Sequence, residues 1–248
     1  MNAETLRALA RAHPDRLGLW IAFLNETSAR SVAEIGVYRG VFAAEVLDGC
    51  PNIEAYYMVD PWQHLDEWNK PANATDEKFD LIYQQAMDRT QEHVHKRIVL
   101  RGRTVDVLDQ VPDGELDFAY VDGDHTLRGI TVDLVRAYPK IRHGGFLGGD
   151  DFARSIWHHG ERFEPTLVFP FAVYFAEAVG TRIYALPQRQ FLIEKSDENR
   201  FEFVDLTGRY EQIDLLSQMQ GWRNGPSAAG SRGSPRTAVS RRIRKLLR

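Results

Sequence analysis

Four side chains in the middle of the chain are of the types that bind metal ions or transfer protons. Asp122 and His125 lie in the segment VDGDH, and Asp150 and Asp151 close the segment GGDD. Carboxylates that crowd at one site repel each other unless a cation or a proton compensates their charge. Hard oxygen ligands of this kind suit Mg²⁺, Mn²⁺ or Ca²⁺. A divalent ion there could bind a substrate hydroxyl, lower its pKa and orient it.

Structural roles can also account for the same residues. Asp122 and Asp124 are suited to capping a following helix, because a carboxylate accepts hydrogen bonds from the free amides of a first turn. Asp150 or Asp151 can take part in a turn, and His125 can orient a backbone carbonyl. The residue types alone therefore leave chemistry and structure open.

A second pattern lies earlier, in SVAEIGVYRGVFAAEVL, from Ser31 to Leu47. It predicts an apolar strand, a turn between Gly36 and Gly40, and a helix, which together form the ligand crevice of open α/β sheets. A dinucleotide site has G-x-G-x-x-G, but here Tyr38 stands two residues after Gly36. The pattern therefore indicates a ligand without a pyrophosphate.

A third signal is Asp60, which ends the next apolar run in AYYMVDPW. An acidic residue at the tip of the second strand of a βαβ unit reaches the ribose hydroxyls of a bound nucleoside. A carboxylate suits this task because it accepts a hydrogen bond from each hydroxyl.

In these residues the chain resembles the class I S-adenosylmethionine-dependent methyltransferases. Glu34, Gly36 and Gly40 match the first motif of that family, and Asp60 matches the second. The resemblance implies S-adenosylmethionine as cofactor. It also implies that Arg103 and Thr104, in the turn RGRT, contact the adenine edge through a backbone amide and a hydroxyl. Thr104 equally suits an ordinary helix start, and Trp62 suits either a cover for the adenine ring or a place in the core.

The acidic cluster is similar to that of metal-dependent small-molecule O-methyltransferases. In the catechol type an Asp-Asn pair follows the fifth strand, so Asp151 departs from that pattern. In the macrolide-sugar O-methyltransferases Asp122, His125, Asp150 and Asp151 all match. This second resemblance implies Asp122, Asp150 and Asp151 as ligands of Mg²⁺ and His125 as the general base, a role that suits the ordinary pKa of histidine, about 6.5. Asp122 is also counted among the cofactor-binding residues. A further acidic metal ligand of that branch has no counterpart that can be placed here.

The elements that must position these residues alternate between strand and helix. Five βα repeats followed by a hairpin predict an α/β fold: a doubly wound, mostly parallel, seven-stranded sheet of the Rossmann-like methyltransferase type, with an antiparallel C-terminal edge strand. Strands are predicted over 31–35, 55–60, 97–101, a run ending at 122, the GGFLGGDD run, and a hairpin of 181–187 and 189–195. Helices are predicted over 40–47, 81–94, 104–110, 127–138 and 171–178.

Two further segments bear on the substrate. The polar insert between Trp62 and Asp80, which carries Trp68, is placed to act as a lid over the carboxyl edge of the sheet. His158 and His159 follow the fifth strand. Adjacent histidines point in different directions, so a shared metal role is not expected, but one of them can face the acceptor pocket.

Composition and charge bound the remaining classes. The chain has 248 residues, 43% of them hydrophobic, and is expected to divide into an N-terminal helical cap (1–30), the methyltransferase domain (31–196), a C-terminal extension (197–220) and a basic, disordered tail (221–248). The tail has eight basic and no acidic residues, which leaves a body with a net charge of about −12 and argues against nucleic acid as a partner. The single cysteine, Cys50, suits a reducing cytoplasm, and no apolar run approaches a membrane span.

These patterns predict an S-adenosylmethionine-dependent O-methyltransferase that acts on a hydroxyl of a small molecule, such as a sugar or natural product, with metal assistance. Three alternatives stay open: a metal-independent methyltransferase, a nicotinamide-binding oxidoreductase, which Tyr38 disfavours, and a non-catalytic binding module. The acceptor, the regiochemistry and whether the chain forms a homo-oligomer are not encoded in any pattern found.

Overall fold

A single eight-stranded sheet organises the computed structural model, which describes residues 1–211, 213, 214 and 218. The strand order across the sheet is β3-β2-β1-β4-β5-β7-β6-β8. The strands are β1 (Ser31–Ile35), β2 (Ala55–Asp60), β3 (Arg97–Arg101), β4 (Leu116–Val121), β5 (Ile141–Gly149), β6 (Arg182–Leu186), β7 (Gln190–Glu194) and β8 (Glu202–Asp205). The order reverses between β1 and β4, which is where open α/β sheets leave a crevice for a ligand.

Helices separate most of the strands, as the long crossovers between parallel neighbours require. They are α1 (Ala3–Ala12), α2 (Arg16–Glu26), α3 (Val41–Gly49), α4 (Asp76–Arg89), α5 (Thr104–Val107), α6 (Leu127–Lys140) and α7 (Val168–Ala178). Two apolar clusters, one on each face of the sheet, form the core. Because β1 is covered on both faces, all five of its residues are buried.

The reversed strand lies inside the sheet. β7 pairs antiparallel with both β5 and β6, and β8 pairs parallel with β6. The predicted mostly parallel α/β sheet is confirmed, but it has eight strands instead of seven, and the hairpin inserts its second strand next to β5, so that β8 forms that edge.

The N-terminal residues form two capped helices. The side chain of Asn2 accepts a hydrogen bond from the Thr5 amide, and that of Asp15 accepts one from the Gly18 amide. These interactions satisfy amides that a first turn leaves free. Since Asp15 caps α2, Arg16 is the first residue of that helix, and this position matters for the site.

Element bounds differ from expectation mainly where caps decide them. α4 begins at Asp76, earlier than expected, because the Thr75 side chain accepts a hydrogen bond from the Lys78 amide. α7 begins at Val168 and not at 171. The predicted disordered tail lies outside the described residues. Within the described part of the chain, no helix is both long and apolar enough to cross a bilayer.

Candidate active site

One cavity of about 860 Å³ opens at the carboxyl ends of the parallel strands. Its wall includes every residue for which a cofactor or catalytic role was predicted except Gly40, Asp150 and Asp151. Gly40 ends the turn that precedes α3, and the two aspartates follow β5. The topology therefore assembles at one place the motifs that are far apart in the sequence.

The glycine turn forms the floor of the cavity. Gly36 has φ +94° and Gly40 has φ +70°, both in the left-handed region that favours glycine. A Cβ on Gly36 would overlap the backbone carbonyl of Asp122, and one on Gly40 would lie 2.9 Å from the Cα of Ala86. Both glycines are therefore fixed by close packing of backbone as well as by φ.

Asp60 fastens this turn to the end of β2. Its Oδ2 accepts a hydrogen bond from the Tyr38 amide at 2.8 Å, and its Oδ1 accepts one from the Trp62 amide at 2.7 Å. Burial raises the pKa of the Asp60 carboxyl, and these amides oppose the shift. Each carboxylate oxygen has a second lone pair, so Asp60 can brace the turn and still accept a ligand hydroxyl.

Glu34 lies on β1 beneath the same wall. It is only 2% exposed, and its Oε2 accepts a hydrogen bond from the Tyr56 hydroxyl at 2.8 Å. Burial raises the pKa of Glu34 well above its ordinary value, and the nearby charges of Asp122 and Asp60 add to the shift. A buried carboxyl of this kind is suited to hydrogen-bonding a neutral polar group of a ligand.

Arg103 and Thr104 line the far end of the cavity. The Arg103 guanidinium pairs with Asp106 through two hydrogen bonds, so its side chain is engaged outside the ligand space. The Thr104 side chain hydrogen-bonds Asp133 on α6. Asp133 is 4% exposed, and burial raises its pKa to about 7. No sequence pattern points to Asp133, because a single acidic residue within a helix usually faces solvent.

Trp62 belongs to the core. It is fully buried, its Nε1 donates to the Tyr38 carbonyl at 2.7 Å, and its ring meets Tyr83 edge to face. Of the two roles considered for Trp62, the structure supports the core role, in which it braces the glycine turn from behind.

At the other end of the cavity, Arg16 joins two of the predicted acidic residues. Its Nη1 donates to Asp122 Oδ2 at 3.1 Å and also to Asp150 Oδ2. Asp122 follows β4 and Asp150 follows β5, so one guanidinium group from α2 spans the ends of two neighbouring strands. Sequence reasoning missed Arg16, because nothing in the pattern distinguishes an arginine at the start of an otherwise apolar helix from a surface residue.

Gln190 on β7 holds Asp150 from the opposite side. Its Nε2 donates to Asp150 Oδ1 at 2.6 Å, and its Oε1 accepts from Trp20 Nε1 at 2.7 Å and from the Tyr120 hydroxyl at 2.8 Å. Gln190 is fully buried. A buried amide with satisfied donors and acceptors fixes its neighbours in one arrangement, so Asp150 is held rigidly.

His125 lies between two carboxylates. Its Nδ1 is 2.7 Å from Asp151 Oδ2, while its buried Nε2 lies 3.3 Å from Asp122 Oδ1 without a geometrically satisfactory hydrogen bond. Burial would lower the pKa of His125, but the two aspartates outweigh it and raise the pKa to about 10. Burial would likewise raise the pKa of Asp151, but the hydrogen bond from His125 and the histidine charges hold it below its usual range. The two carboxylates therefore favour the protonated form of the His125 ring.

The histidine pair after β5 joins the same cluster. His159 Nε2 lies 3.4 Å from Asp151 Oδ2, His158 Nε2 lies 3.5 Å from Asp151 Oδ1, and His159 lines the cavity. Ligand atoms of His125, Asp151 and His159 lie within 4.8 Å of one another, a spacing compatible with a metal ion. This donor set, with two imidazoles, would suit a transition metal such as Zn²⁺ better than Mg²⁺.

The insert predicted as a lid covers the cavity. Trp68 Nε1 donates to Asp124 Oδ1 at 3.0 Å, and Lys70 donates to the Glu164 carbonyl at 2.8 Å. Lys70 is 4% exposed, and burial lowers its pKa. These contacts tie the insert to the loop that precedes α6 and to the segment after β5, and Trp68 and Lys70 both line the cavity.

Comparison with known proteins adds to this geometry. Residues 33–152 match a family model described as "Methyltransferase domain". A search of curated proteins found no significant match.

Solved structures share the fold at low sequence identity. An O-methyltransferase from Bacillus cereus in complex with SAH is 15% identical, with a TM-score of 0.51 and coverage of 78% of this chain and 91% of that one. The O-methyltransferase TomG from Streptomyces achromogenes, in complex with SAM, is 14% identical, with a TM-score of 0.51 and coverage of 79% and 80%. The SAH-bound methyltransferase PaMTH1 from Podospora anserina is 14% identical, with a TM-score of 0.52 and coverage of 73% and 78%.

The methyltransferase domain spans β1 to the residues after β5, which includes the glycine turn and the acidic cluster. The strand order and the crevice agree with this match, so residues 33–152 form a methyltransferase domain.

Proposed function

We propose that this methyltransferase transfers the methyl group of S-adenosylmethionine to a hydroxyl of a small molecule, with Glu34, Gly36, Gly40, Asp60, Arg103 and Thr104 forming the cofactor half of the cavity and His125 accepting the proton. The observation that carries the proposal is the His125 ring, which Asp151 holds by Nδ1 while the buried Nε2 has no satisfactory hydrogen bond. In its neutral form, a histidine that a carboxylate holds by one ring nitrogen can accept a hydroxyl proton on the other. The O-methyltransferases among the structural neighbours support the same reaction class.

In the proposed reaction the acceptor oxygen attacks the methyl carbon in line with the departing sulfur. The C–S bond breaks as the O–C bond forms, the sulfonium becomes a neutral thioether, and the hydroxyl proton passes to His125 Nε2. Holding the two reactants in line can supply several kcal/mol of the barrier reduction. The lid contacts of Trp68 and Lys70 support a closed site in which water competes poorly with the acceptor.

The proton step sets a pH requirement. His125 accepts a proton only in its neutral form, and the neighbouring aspartates raise its pKa to about 10. The neutral fraction therefore grows as pH rises. Bound S-adenosylmethionine would bring a positive charge into the cavity that Asp122 and His125 both line, and a like charge would lower the pKa of His125. Cofactor binding and generation of the base are thus coupled in this proposal.

The residues predicted to bind magnesium are poorly suited to hold it. Its expected ligands were Asp122, Asp150 and Asp151, and Arg16 already donates to the first two, while His125 and His159 lie against the third. Magnesium requires near-octahedral oxygen ligation and dehydrates reluctantly. No step of the proposed mechanism therefore passes through a metal, and the metal-independent alternative is preferred.

The volume of the cavity bears on the size of the acceptor. A cavity of about 860 Å³ accommodates the cofactor together with a small acceptor, which favours a sugar or natural-product hydroxyl over a macromolecule. The single cysteine, Cys50, is buried, and a chain without a disulfide partner for it suits a reducing cytoplasm.

Thermal unfolding with S-adenosylhomocysteine, with NAD as the comparison ligand, tests the cofactor class. A ligand at about 100 times its Kd stabilises by roughly 2.7 kcal/mol, which in a chain of this size raises Tm by roughly 5–10 °C. We expect that rise with S-adenosylhomocysteine and none with NAD. A rise with NAD alone, or with neither ligand, would overturn the proposal.

The reaction itself is tested by incubating the protein with methyl-labelled S-adenosylmethionine and a panel of hydroxylated sugars and phenols. We expect a labelled O-methyl ether from at least one acceptor, and a loss of about 100-fold or more in rate for His125→Ala at unchanged cofactor affinity. His143→Ala is the matched control, because His143 is exposed and lies outside the cavity wall, and its rate is expected to equal that of the wild type. Equal rates for the wild type and His125→Ala would exclude His125 as the base.

A further inference from the structure

The acidic cluster has a cation of its own, Arg16, supplied from outside the sheet. The guanidinium group enters from the first turn of α2, and a single nitrogen, Nη1, donates to carboxylates on two different strand ends. The Arg16 side chain is 36% exposed, whereas those of Asp122 and Asp150 are 26% and 12% exposed. The guanidinium and both carboxylates are therefore partly withdrawn from water. Partial burial makes attraction between opposite charges stronger than it is at an exposed surface.

Every oxygen of the three carboxylates already faces a donor. Asp122 faces Arg16 and His125, and Asp151 faces His125 and His159 on one oxygen and His158 on the other. Asp150 faces Arg16 on one oxygen, and Gln190 with the Asp151 amide on the other. A divalent ion would have to displace the guanidinium to gain two oxygens from different strands.

We infer that Arg16 is the resident cation of this acceptor site and holds Asp122 and Asp150 in the way that a divalent ion would, so that the site works without a metal. The inference rests on the proposed function, because it concerns the acceptor half of that same cavity. Arg16 is a positioning residue that fixes Asp122 and Asp150. Asp122 lies against Nε2 of the His125 ring. Asp150 accepts a hydrogen bond from the backbone amide of Asp151, and the Asp151 carboxylate holds Nδ1 of the same ring.

The aromatic wall around Arg16 favours this role over that of a loose surface pair. The guanidinium carbon lies 6.0 Å from the centroid of Phe42, which is itself stacked on Tyr120 at 4.1 Å. Trp20, one turn further along α2, is fully buried and bonded to Gln190. Since α2 is anchored by Trp20, the position of Arg16 is set by the core and not by the ion pair alone.

Manganese binding measured by electron paramagnetic resonance tests the inference in the full-length protein saturated with S-adenosylhomocysteine. The wild type is expected to leave added Mn²⁺ free, and its Tm is expected to be the same with Mg²⁺ and with EDTA. Arg16→Ala removes the guanidinium and leaves two uncompensated carboxylates, so its Mn²⁺ affinity is expected to rise about tenfold or more. Arg16→Lys keeps a cation and is expected to behave as the wild type does.

Arg30→Ala is the matched control, because Arg30 pairs with Glu54 at the surface and lies outside the cavity wall. It is expected to leave Mn²⁺ binding unchanged. Binding of one Mn²⁺ per chain by the wild type, in competition with Mg²⁺, would overturn the inference, and so would a folded Arg16→Ala protein that gains no Mn²⁺ site. The wild-type measurement decides the matter even if Arg16→Ala does not fold.

The two proposals fail in different ways. If S-adenosylhomocysteine does not stabilise the wild type, the proposed function fails. If it does and the wild type also binds Mn²⁺ at one site per chain, only the role of Arg16 fails.

Discussion

The two halves of the cavity differ in the chemical groups that form them. The half formed by the ends of β1, β2 and β3 is made largely of backbone, with glycines at positive φ and amides that donate to Asp60, and its two carboxyls, Glu34 and Asp60, are buried. The half formed by the ends of β4 and β5 is made of charged side chains around His125 and Arg16. Both halves lie at the same edge of one sheet.

This difference separates two kinds of sensitivity. Backbone packing depends on shape and tolerates changes of pH, but it does not tolerate an added atom. A cluster of charges tolerates small changes of shape, but its free energy depends on protonation and on the number of cations present. Substitutions in the first half should therefore act through sterics, and those in the second half through electrostatics.

The largest expected effect is that of Gly36→Ala. The added Cβ would overlap the Asp122 carbonyl, and alanine would be forced to φ +94°. We expect a loss of about 3 kcal/mol or more in the free energy of unfolding, together with loss of S-adenosylhomocysteine binding. Urea unfolding with and without that ligand measures both.

Gly114→Ala separates the clash from the cost of φ. Gly114 has φ +72°, but a Cβ there would meet nothing within 4 Å. This variant is expected to lose only about 1–2 kcal/mol, the cost of a left-handed alanine. Equal losses in the two variants would mean that φ alone matters, and the description of the cofactor half as a close-packed floor would be wrong.

An intermediate effect is expected from pH in the charged half. The pKa of His125 is raised from 6.5 to about 10 in the folded protein. A raised pKa stabilises the folded state fully below the unfolded value, and the contribution is lost as pH rises through about 10. We expect the stability advantage of the wild type over His125→Gln to shrink by at least about 2 kcal/mol between about pH 7 and about pH 10.5.

Comparing the two proteins by urea unfolding at each pH removes the titration of lysines and tyrosines that they share. Gly114→Ala, which leaves the charged half intact, should keep a constant difference from the wild type over the same range. A constant difference for His125→Gln would show that the carboxylates do not hold a proton on the ring.

The smallest expected effect is that of Arg103→Ala. The Arg103 side chain pairs with Asp106 at the surface, and such exposed pairs contribute little. We expect no measurable change in Tm and a change of less than about threefold in S-adenosylhomocysteine affinity.

Thr104→Val, which removes a hydroxyl that is hydrogen-bonded to Asp133, should weaken S-adenosylhomocysteine binding by about tenfold. If the order of these two effects is reversed, the adenine edge is read by the guanidinium and not at Thr104.

Prediction from sequence succeeded best where local pattern and structure have the same cause. β1, β2 and β3 were predicted with the bounds they have, because buried parallel strands are short apolar runs that end at turn residues. The grouping of Asp122, His125, Asp150 and Asp151 followed from a topological rule, since the carboxyl ends of neighbouring parallel strands meet at one edge. The assigned roles of these residues remain predictions.

What sequence reasoning could not reach depends on long-range contacts. Arg16 contacts Asp150 across 134 positions, and Gln190 contacts Tyr120 across 70. No periodicity or motif connects such pairs. The place of β7 was likewise not expected, because a hairpin pattern states that two strands pair but not which of them joins the existing sheet.

Arg16 lies outside the methyltransferase domain match, which begins at residue 33. The chain thus keeps its cofactor-binding scaffold and the charge that completes its acceptor site on separate segments. Residues of the same N-terminal helices, among them Leu6, Trp20 and Phe23, belong to the core cluster on one face of the sheet. A chain cut back to the matched domain would therefore lose part of its core together with Arg16, and both losses are expected to occur at once.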